Sequence, residues 1–418
     1  MRPAAHSVRQ YLLITGNYWA FTLTDGALRM LVVFHFHQLG YSTLEIAFLF
    51  LFYEFFGVVT NLLGGWLGAR IGLNRTMNAG LALQLVALGM LLAPLGSLGV
   101  PWVMAAQALS GIAKDLNKMS AKSAVKLLVP GRAQGRLYRL VALLTGSKNA
   151  LKGVGFFLGG ALLALYGFRG AVGAMLAALA VVWLASLVLL GRDLGRSRAA
   201  PPFRAILSKS GPVNTLSAAR LFLFAARDVW FVVALPVHLS SAFDWSHIEV
   251  GSFLALWVIG YGAVQAAAPR ITGADAERLP DGRAATRWAG VLAVVPALIA
   301  VSPGAASFPG TATVAGLPLA ELCLVGGLAL FGCLFAVNSS LHSYLIVSYA
   351  REDGVSLDVG FYYMANAAGR LAGTLLSGWL YQAQGLAACL VASAALLLAA
   401  ALLSLGLPRR AGAGTRLG

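Results

Sequence analysis

Apolar stretches of about 20 residues dominate the sequence, and short connections rich in glycine, proline or charged residues separate them. A helix of this length crosses a hydrocarbon core of about 30 Å. The pattern therefore predicts an all-α polytopic membrane protein with about 12 membrane-spanning helices. Their expected ranges are 11–38, 44–69, 74–96, 99–127, 137–166, 170–191, 213–240, 248–271, 286–303, 318–349, 355–384 and 386–407.

Basic residues follow every second predicted helix. The alternate connections contain no Lys or Arg, except that Arg169 stands in one of them. By the positive-inside rule the basic loops face the cytoplasm, which predicts a multi-pass membrane protein with both termini cytoplasmic. The residues that set this orientation are Arg70, Arg75, Arg132, Arg136, Arg139, 192–209 and 270–287.

The longest polar connection divides the chain into similar halves. It predicts a bundle of six helices over 1–191, a cytoplasmic linker over 192–212 and a second six-helix bundle over 213–418. Similar strings recur in the two parts, such as YSTLEI at 41–46 and WSHIEV at 245–250, and Asp25 has a counterpart in Asp228. Such repeats favour two pseudo-symmetric bundles with a substrate path between them.

The composition agrees with this fold class and narrows the function. Hydrophobic residues form 59% of the 418 residues and charged residues only 11%, whereas soluble domains carry about 25% charged residues. The formal net charge of +16 lies mostly at loop ends, where orientation explains it, and no nucleic-acid-binding motif accompanies it. We expect no nucleic acid, metal or cofactor as a partner, and no enzymatic activity.

Several cations nevertheless fall inside predicted spans, where each costs roughly 2.5 to 3.5 kcal/mol. Lys114, Lys118, Lys122 and Lys126 recur every four residues, a spacing that places them on one helix face. At about 1.5 Å per residue, Lys148 falls close to the membrane midplane. The residues expected to line an anion-binding path are Arg29, Lys114, Lys118, Lys148, Lys152, Arg220, Arg227, His342, Asn366 and Arg370.

Simpler roles compete with this hypothesis for some of these residues. Lys122 and Lys126 are expected to reach cytoplasmic water by snorkelling. Arg29 would pair with Asp25, and Lys114 or Lys118 with Asp115.

The acids near these cations are too few to neutralise them. With Asp25, Glu54, Asp115 and Asp228 as the acids at depth, about four cations lack an acidic partner, so we expect a ligand with several negative charges. Asp25, Glu54 and Asp228 are also candidates for coupling transport to protons.

The string GGWLGARIGLNR at 64–75 resembles the loop signature of the major facilitator superfamily, although Ala69 stands where that family usually has an acidic residue. A closer resemblance covers about residues 8–385. Strings such as QALSGIAKDLNKMSAKSAVKLLVP and SAARLFLFAARDVWFVVALPVHL are similar to organoarsenical efflux permeases of arsenic-resistance operons, the ArsJ type. This resemblance implies export of 1-arseno-3-phosphoglycerate, made from arsenate by a partner glyceraldehyde-3-phosphate dehydrogenase, and hence arsenate resistance.

The residues alone leave other functions open. A facilitator antiporter for other organophosphates or organic anions would need the same cations. A membrane-embedded transferase is disfavoured because no nucleophile and base share an interface depth. An arsenite pump is disfavoured because arsenite seeks paired thiolates, whereas Cys323 and Cys333 are about 15 Å apart along one helix. The coupling mode, by proton antiport, phosphate exchange or uniport, is not set by the sequence.

Overall fold

The computed structural model describes residues 3–40, 49, 51–94, 99–129, 133–191, 194–197, 201–207, 210–273, 279–303, 313–314 and 317–409. Within these residues nearly all of the chain is helical. A 3₁₀ turn at Phe203–Ile206 and a two-residue antiparallel pairing of Thr313–Val314 with Leu317–Pro318 are the exceptions. The helices are α1 Pro3–Gln38, α2 Leu51–Ile71, α3 Leu73–Leu91, α4 Val100–Leu128, α5 Gln134–Leu189, α6 Gly211–Phe231, α7 Ala234–Ala242, α8 His247–Ile271, α9 Gly282–Ala300, α10 Leu319–Tyr349 and α11 Val355–Ser404.

Two of these helices are long enough to cross a membrane twice, and each is broken at a glycine. In α5 the break is Gly167, with φ 63° and ψ 179°. In α11 it is Gly385, with φ 76° and ψ −170°. Glycine adopts positive φ without steric cost, so the chain turns there. With α6 and α7 counted as one interrupted crossing, the described residues contain the twelve predicted segments, and the predicted fold class is confirmed.

The described helices differ in how apolar they are. Six stretches are long and apolar enough to cross a membrane by length and composition. Helices α1, α2, α3 and α4 fall outside that set, and α4 carries the four regularly spaced lysines. The polar side chains at membrane depth are therefore denser in the first part of the chain. The six stretches are 134–189, 211–242, 248–271, 282–300, 319–349 and 355–404.

We call residues 1–191 the N-half and residues 213–418 the C-half, as the sequence divides them. The end of the bundle that carries the 192–212 connection is called the linker end, and the opposite end the far end. Ser246 begins α8 at the far end with a capping box, in which its side chain accepts from the Glu249 N–H and Glu249 binds back to Ser246. Its predicted repeat at 41–46 lies outside the described residues.

The apolar core is arranged differently at the two ends. At the far end each half has its own core, built around Leu31, Leu88 and Val172 in the N-half and around Trp230 and Phe331 in the C-half. At the linker end a single core contains residues of both halves, among them Met119, Tyr138, Tyr344 and Val359. Because the core that both halves share among the described residues lies at the linker end, the path between them is closed at that end.

Glycines allow two pairs of helices to touch across the halves. A Cβ at Gly65 of α2 would lie 2.5 Å from the Ser356 carbonyl oxygen in α11. A Cβ at Gly146 of α5 would lie 2.4 Å from the Gly262 carbonyl oxygen in α8. Both distances are far below van der Waals contact, so any larger side chain would push the helices apart. The interface between the halves therefore depends on backbone contact at these two places.

The connection between the halves is attached to both of them. Its Ser197 backbone N–H donates to the Ala69 carbonyl oxygen (2.8 Å), and its Ser197 Oγ donates to Asp353 Oδ1 (2.7 Å), just before α11. Trp66 Nε1 of α2 donates to the Pro201 carbonyl oxygen (3.0 Å). At Ala69, where the facilitator signature usually has an acid, the backbone thus binds the linker.

Candidate functional site

The lysine face of α4, defined as Lys114, Lys118, Lys122 and Lys126, runs along the interior of the bundle toward the linker end. Lys118 Nζ donates to Asp115 Oδ1 at 2.5 Å, so the predicted pairing of Asp115 is with Lys118. Asp115 itself is 1% exposed. This ion pair neutralises one of the four lysines, and the other three have different partners.

Lys114 belongs to a group of polar residues inside the N-half. Its ammonium lies 3.7 Å from the centre of the Tyr53 ring, and the guanidinium of Arg29 lies 4.6 Å from the same centre. The Tyr53 hydroxyl donates to the Asp25 carboxylate, with distances of 2.7 and 2.9 Å to its two oxygens. Tyr53 thus holds two cations with its ring and an acid with its hydroxyl. The predicted pairing of Arg29 with Asp25 stays a prediction.

Lys118 and Lys122 reach across to the C-half. Both ammonium groups lie 4.8 Å from the centre of the Tyr363 ring of α11. Lys122 Nζ also donates to the Tyr363 hydroxyl at 2.5 Å. Lys126 Nζ donates to the Ser348 carbonyl oxygen (3.3 Å) and to that of Ala350, both at the end of α10. These three lysines are therefore contacts between the halves.

The expectation that Lys122 reaches cytoplasmic water is wrong for this structure, whereas Lys126 is partly exposed. Lys122 is 4% exposed and Lys126 is half-buried. The sequence-based expectation assumed that the end of α4 is surrounded by water. In the structure the last turns of α4 pack against α10 and α11, because the halves meet at the linker end.

Lys148 and Lys152 lie one turn apart on α5, and both are partly exposed. Lys148 Nζ donates to Asn149 Oδ1 at 3.2 Å, and the Lys152 ammonium lies 5.9 Å from the centre of the Phe156 ring. Among the described residues neither lysine forms an ion pair with a carboxylate. Lys148 is within electrostatic range of Lys118, Arg370 and the carboxylate of Asp25, so it lies where charges of both halves converge.

Arg220 of α6 is 2% exposed and is held by neutral acceptors. Its Nε donates to Asn366 Oδ1 (2.8 Å), and its Nη1 donates to the carbonyl oxygen (3.2 Å) and Oγ (3.1 Å) of Ser339. The guanidinium lies 3.9 Å from the centre of the Phe224 ring. Since buried ions are costly without compensation, this set of contacts fixes the guanidinium in place without neutralising it.

A chain of hydrogen bonds leads from Arg220 to Lys148 across the halves. Ser339 Oγ accepts from Gln265 Nε2 at 3.1 Å, Gln265 Oε1 accepts from Asn149 Nδ2 at 2.6 Å, and Asn149 Oδ1 accepts from Lys148. Each amide donates through its nitrogen and accepts through its oxygen, so every link of the chain is a hydrogen bond. The predicted candidates Lys148, Arg220 and Asn366 are thus joined by residues that sequence reasoning did not identify.

Asp228 pairs with the two other candidate arginines of the C-half, Arg227 and Arg370. Arg227 Nε donates to Asp228 Oδ1 at 2.5 Å, with a second contact through Arg227 Nη2, and Arg370 Nε donates to Asp228 Oδ2 at 3.0 Å. The Asp228 side chain is completely buried. One carboxylate therefore serves two guanidinium groups, which leaves a net single positive charge.

His342 of α10 is completely buried, and neither ring nitrogen has a hydrogen-bond partner among the described residues. The same holds for the side-chain amide of Asn338, one turn earlier. Buried polar groups normally have partners. The predicted placement of His342 at the substrate path stays a prediction. Of the coupling candidates, Asp25 and Asp228 are engaged as described, and the side chain of Glu54 lies outside the described residues.

Sequence reasoning missed four residues that organise these cations: Tyr53, Tyr363, Gln265 and Asn149. Tyr53, Tyr363 and Gln265 lie in mostly apolar stretches, such as FLFYEFF and FYYMAN, and Asn149 directly follows Lys148. A search for hydrogen-bonding side chains at membrane depth, rather than for charges alone, would have found them.

The charges add up to a cationic interior. Lys122, Lys148, Lys152 and Arg220 form no ion pair with a carboxylate among the described residues. Lysine offers a mobile point charge, whereas arginine offers a planar fork, and both suit tetrahedral oxyanions and carboxylates. Such an arrangement of cations can bind an anion.

Comparisons with known proteins agree with this architecture. The sequence profile described as Major Facilitator Superfamily matches residues 14–272, which is more than half of the chain. No curated protein matches the sequence.

Solved structures of transporters share the fold at low identity. The human organic anion transporter MFSD10 (TETRAN) is 18% identical and has a TM-score of 0.71, covering 97% of this chain and 100% of its own. A bacterial homologue of the iron transporter ferroportin, in an outward-facing state with soaked iron, is 16% identical with a TM-score of 0.68, covering 94% of this chain and 98% of its own. The E. coli fucose:proton symporter is 10% identical with a TM-score of 0.68, covering 95% and 98%.

The profile match, the two six-helix halves and the interior between them agree with one another. A multi-pass chain of this kind carries a small substrate across a lipid bilayer by alternating access between its halves. The chain belongs to the Major Facilitator Superfamily.

Proposed function

We propose that this protein exports an organic anion with several negative charges, and that its substrate is 1-arseno-3-phosphoglycerate. One observation carries the proposal of an anion: four cations in the interior, Lys122, Lys148, Lys152 and Arg220, have no ion pair with a carboxylate among the described residues. An uncompensated charge at low dielectric is expensive, so a bound anion would supply the missing interaction.

The kind of anion follows from the number and types of these cations. A monocarboxylate would neutralise one of them, whereas a molecule with an arsenate group at one end and a phosphate group at the other would engage several. Lys148 and Arg220 are joined by the hydrogen-bonded chain through Gln265, so a ligand with two anionic ends could contact both halves at once. The similarity of the fold to a human organic anion transporter is compatible with such a substrate.

The arsenic-containing substrate is supported by the sequence resemblance rather than by the cations. Strings that carry the organoarsenical permease resemblance include SAARLFLFAARDVWFVVALPVHL and LTGSKNALKG, and these hold Lys148, Lys152, Arg220 and Arg227. The functional partner would be a glyceraldehyde-3-phosphate dehydrogenase that forms the substrate from arsenate. The protein would then lie in a bacterial inner membrane with the linker end in the cytoplasm.

Resistance in an arsenate-sensitive bacterium tests this proposal. Cells that express the protein together with the dehydrogenase should tolerate more arsenate and release an arsenic-containing glycerate, whereas cells with either protein alone should not. A Lys148→Gln variant, checked for correct membrane insertion, is the matched control and should lose the resistance. If the pair gives neither resistance nor export, the arsenic-containing substrate is wrong.

A second candidate function is exchange of ordinary organophosphates, which the same cations favour equally. Everted membrane vesicles with the protein would distinguish the two substrates. Uptake of radiolabelled 3-phosphoglycerate without any arsenate-dependent transport would support the organophosphate exchanger.

A further inference from the structure

Among the described residues, three lysines of the α4 lysine face make their direct contacts to the C-half with uncharged groups or a ring, and the carboxylates of Glu352 and Asp358 lie within electrostatic range of Lys126. Lys118 and Lys122 share the Tyr363 ring, Lys122 also donates to the Tyr363 hydroxyl, and Lys126 donates to the carbonyl oxygens of Ser348 and Ala350. All of these acceptors lie on α10 and α11, at the linker end. When the halves separate at that end, each lysine loses its C-half partners together.

These contacts are weaker than an ion pair would be. A buried ammonium bound by a neutral acceptor keeps its charge, and a carboxylate or phosphate would bind it about twice as strongly. Lys118 has Asp115 in its own half, so it stays paired in either arrangement. Lys122 and Lys126 form no ion pair with a carboxylate among the described residues, and they lie one helical turn apart, or about 6 Å.

We propose that Lys122 and Lys126 form an entry site for the anion at the linker end of the cationic interior, which opens when the halves part at that end. Its ligand class is a tetrahedral oxyanion, such as a phosphate monoester or an arsenate ester, whose oxygens can contact both ammonium groups. In the closed arrangement the Tyr363 hydroxyl and the α10 carbonyl oxygens take the place of that anion.

Lys122 and Lys126 would then also control the closing of the linker end. Closing the linker end requires Lys122 and Lys126 to exchange an anion for neutral acceptors, so an anion at this site favours the open arrangement by mass action. Anion binding and opening would be coupled without a carboxylate at position 69 of α2, where Ala69 stands. This inference rests on the proposed transport of an anion, and it adds where the anion first binds and what it displaces.

A reporter cysteine at the interface measures this coupling. Ala350 is 3% exposed, and Lys126 contacts its backbone rather than its side chain, so Ala350→Cys keeps the contact. The reporter is placed in a variant whose three native cysteines are replaced by alanine, and the full-length protein is reconstituted in nanodiscs. The rate of labelling by a hydrophilic maleimide is measured without anion and with inorganic phosphate or 3-phosphoglycerate.

The labelling rates of the Lys122 and Lys126 variants should differ from the parent, whereas that of a nearby control variant should not. Either anion should raise the labelling rate of the reporter protein several-fold. Lys122→Gln should abolish that increase. Lys126→Gln should raise the rate without anion by about fivefold, as expected from the loss of its bonds to α10. The exposed Arg75, which is also basic and near the linker end, gives the matched control, and Arg75→Gln should behave like the parent.

The proposal is overturned if labelling does not respond to either anion, or if Lys122→Gln and Lys126→Gln label like the parent in all conditions. Its failure is distinguishable from that of the proposed function. An oxyanion response without arsenic export would leave this site intact and contradict the arsenic-containing substrate. Arsenic export, together with labelling rates in both lysine variants that equal those of the parent, would support the arsenic-containing substrate and contradict this site.

Discussion

The two halves of the bundle hold their buried cations in different ways. In the C-half, Arg227 and Arg370 share the fully buried carboxylate of Asp228, and Arg220 is fixed by Asn366 and Ser339. In the N-half, Lys148 and Lys152 lie on α5 and form no ion pair with a carboxylate among the described residues. Cations of the C-half are mostly arginines with fixed geometry, and those of the N-half are mostly lysines with mobile ammonium groups.

This difference distinguishes cations that stabilise the fold from cations that are available to bind a ligand. A guanidinium that is already paired by Asp228 stabilises the fold and contributes little charge for a ligand. A lysine without a carboxylate costs stability and is therefore the better indicator of a binding site. Variants in the two halves should accordingly change stability in opposite directions.

The largest effect is expected when the shared carboxylate of the C-half is removed. Asp228→Asn leaves two guanidinium groups in the interior without their common acid, and breaking a buried ion pair in this way costs about 3 to 5 kcal/mol. The thermal unfolding midpoint of the purified protein should fall, and adding Arg370→Gln to the variant should restore part of the loss. Asp244 is exposed, so Asp244→Asn serves as the control. An unchanged midpoint in Asp228→Asn would contradict the pairing role.

In the N-half, Lys148→Gln should reduce transport without reducing stability. The midpoint should stay the same or rise, because an uncompensated cation is removed. Transport in membrane vesicles should fall by about 100-fold, as is usual when a buried charged contact to a ligand is lost. Lys148→Arg should keep most of the transport. Undiminished transport in correctly inserted Lys148→Gln protein would remove this residue from the site.

A smaller effect is expected from changing the shape of a cation without its charge. Arg220→Lys keeps the positive charge but cannot bind Asn366 and Ser339 together, so the apparent affinity for the transported anion should fall by about tenfold. The concentration dependence of transport measures this change. Equal affinity in Arg220→Lys and the parent would show that the geometry of the guanidinium is irrelevant.

The smallest effect is expected at Tyr53, which holds cations of the N-half with its ring. Tyr53→Phe removes the hydrogen bond to Asp25, a loss of about 1 kcal/mol, and keeps the ring beneath Lys114. Tyr53→Leu removes both, so its transport rate should be lower than that of Tyr53→Phe. If the two variants transport equally, the ring does not position Lys114.

The sequence predicted the fold almost completely, because span length and hydropathy are local properties. The breaks at Gly167 and Gly385 also follow from the pattern, since each glycine ends a predicted span. The pairing of Lys118 with Asp115 was predictable in the same way, because the two residues are three positions apart on one helix.

Contacts between distant helices could not be predicted. Tyr363 is 241 positions from Lys122, and nothing local to either residue indicates that they meet. Lys122 was expected in water for this reason, because the packing of α4 against α10 and α11 depends on how the halves meet. The neutralisation of two arginines by Asp228 likewise depends on the position of Arg370, which lies 142 positions away.

Transport of the arsenic-containing anion itself tests the proposed substrate most directly. Everted membrane vesicles with the protein are supplied externally with the dehydrogenase, its substrates and arsenate, and the arsenic trapped inside is measured with time. Arsenic should accumulate only when the dehydrogenase and arsenate are both present, and the accumulation should fall to background in Lys148→Gln. Vesicles that trap no arsenic above this background, although the protein is correctly inserted, would contradict the proposed substrate.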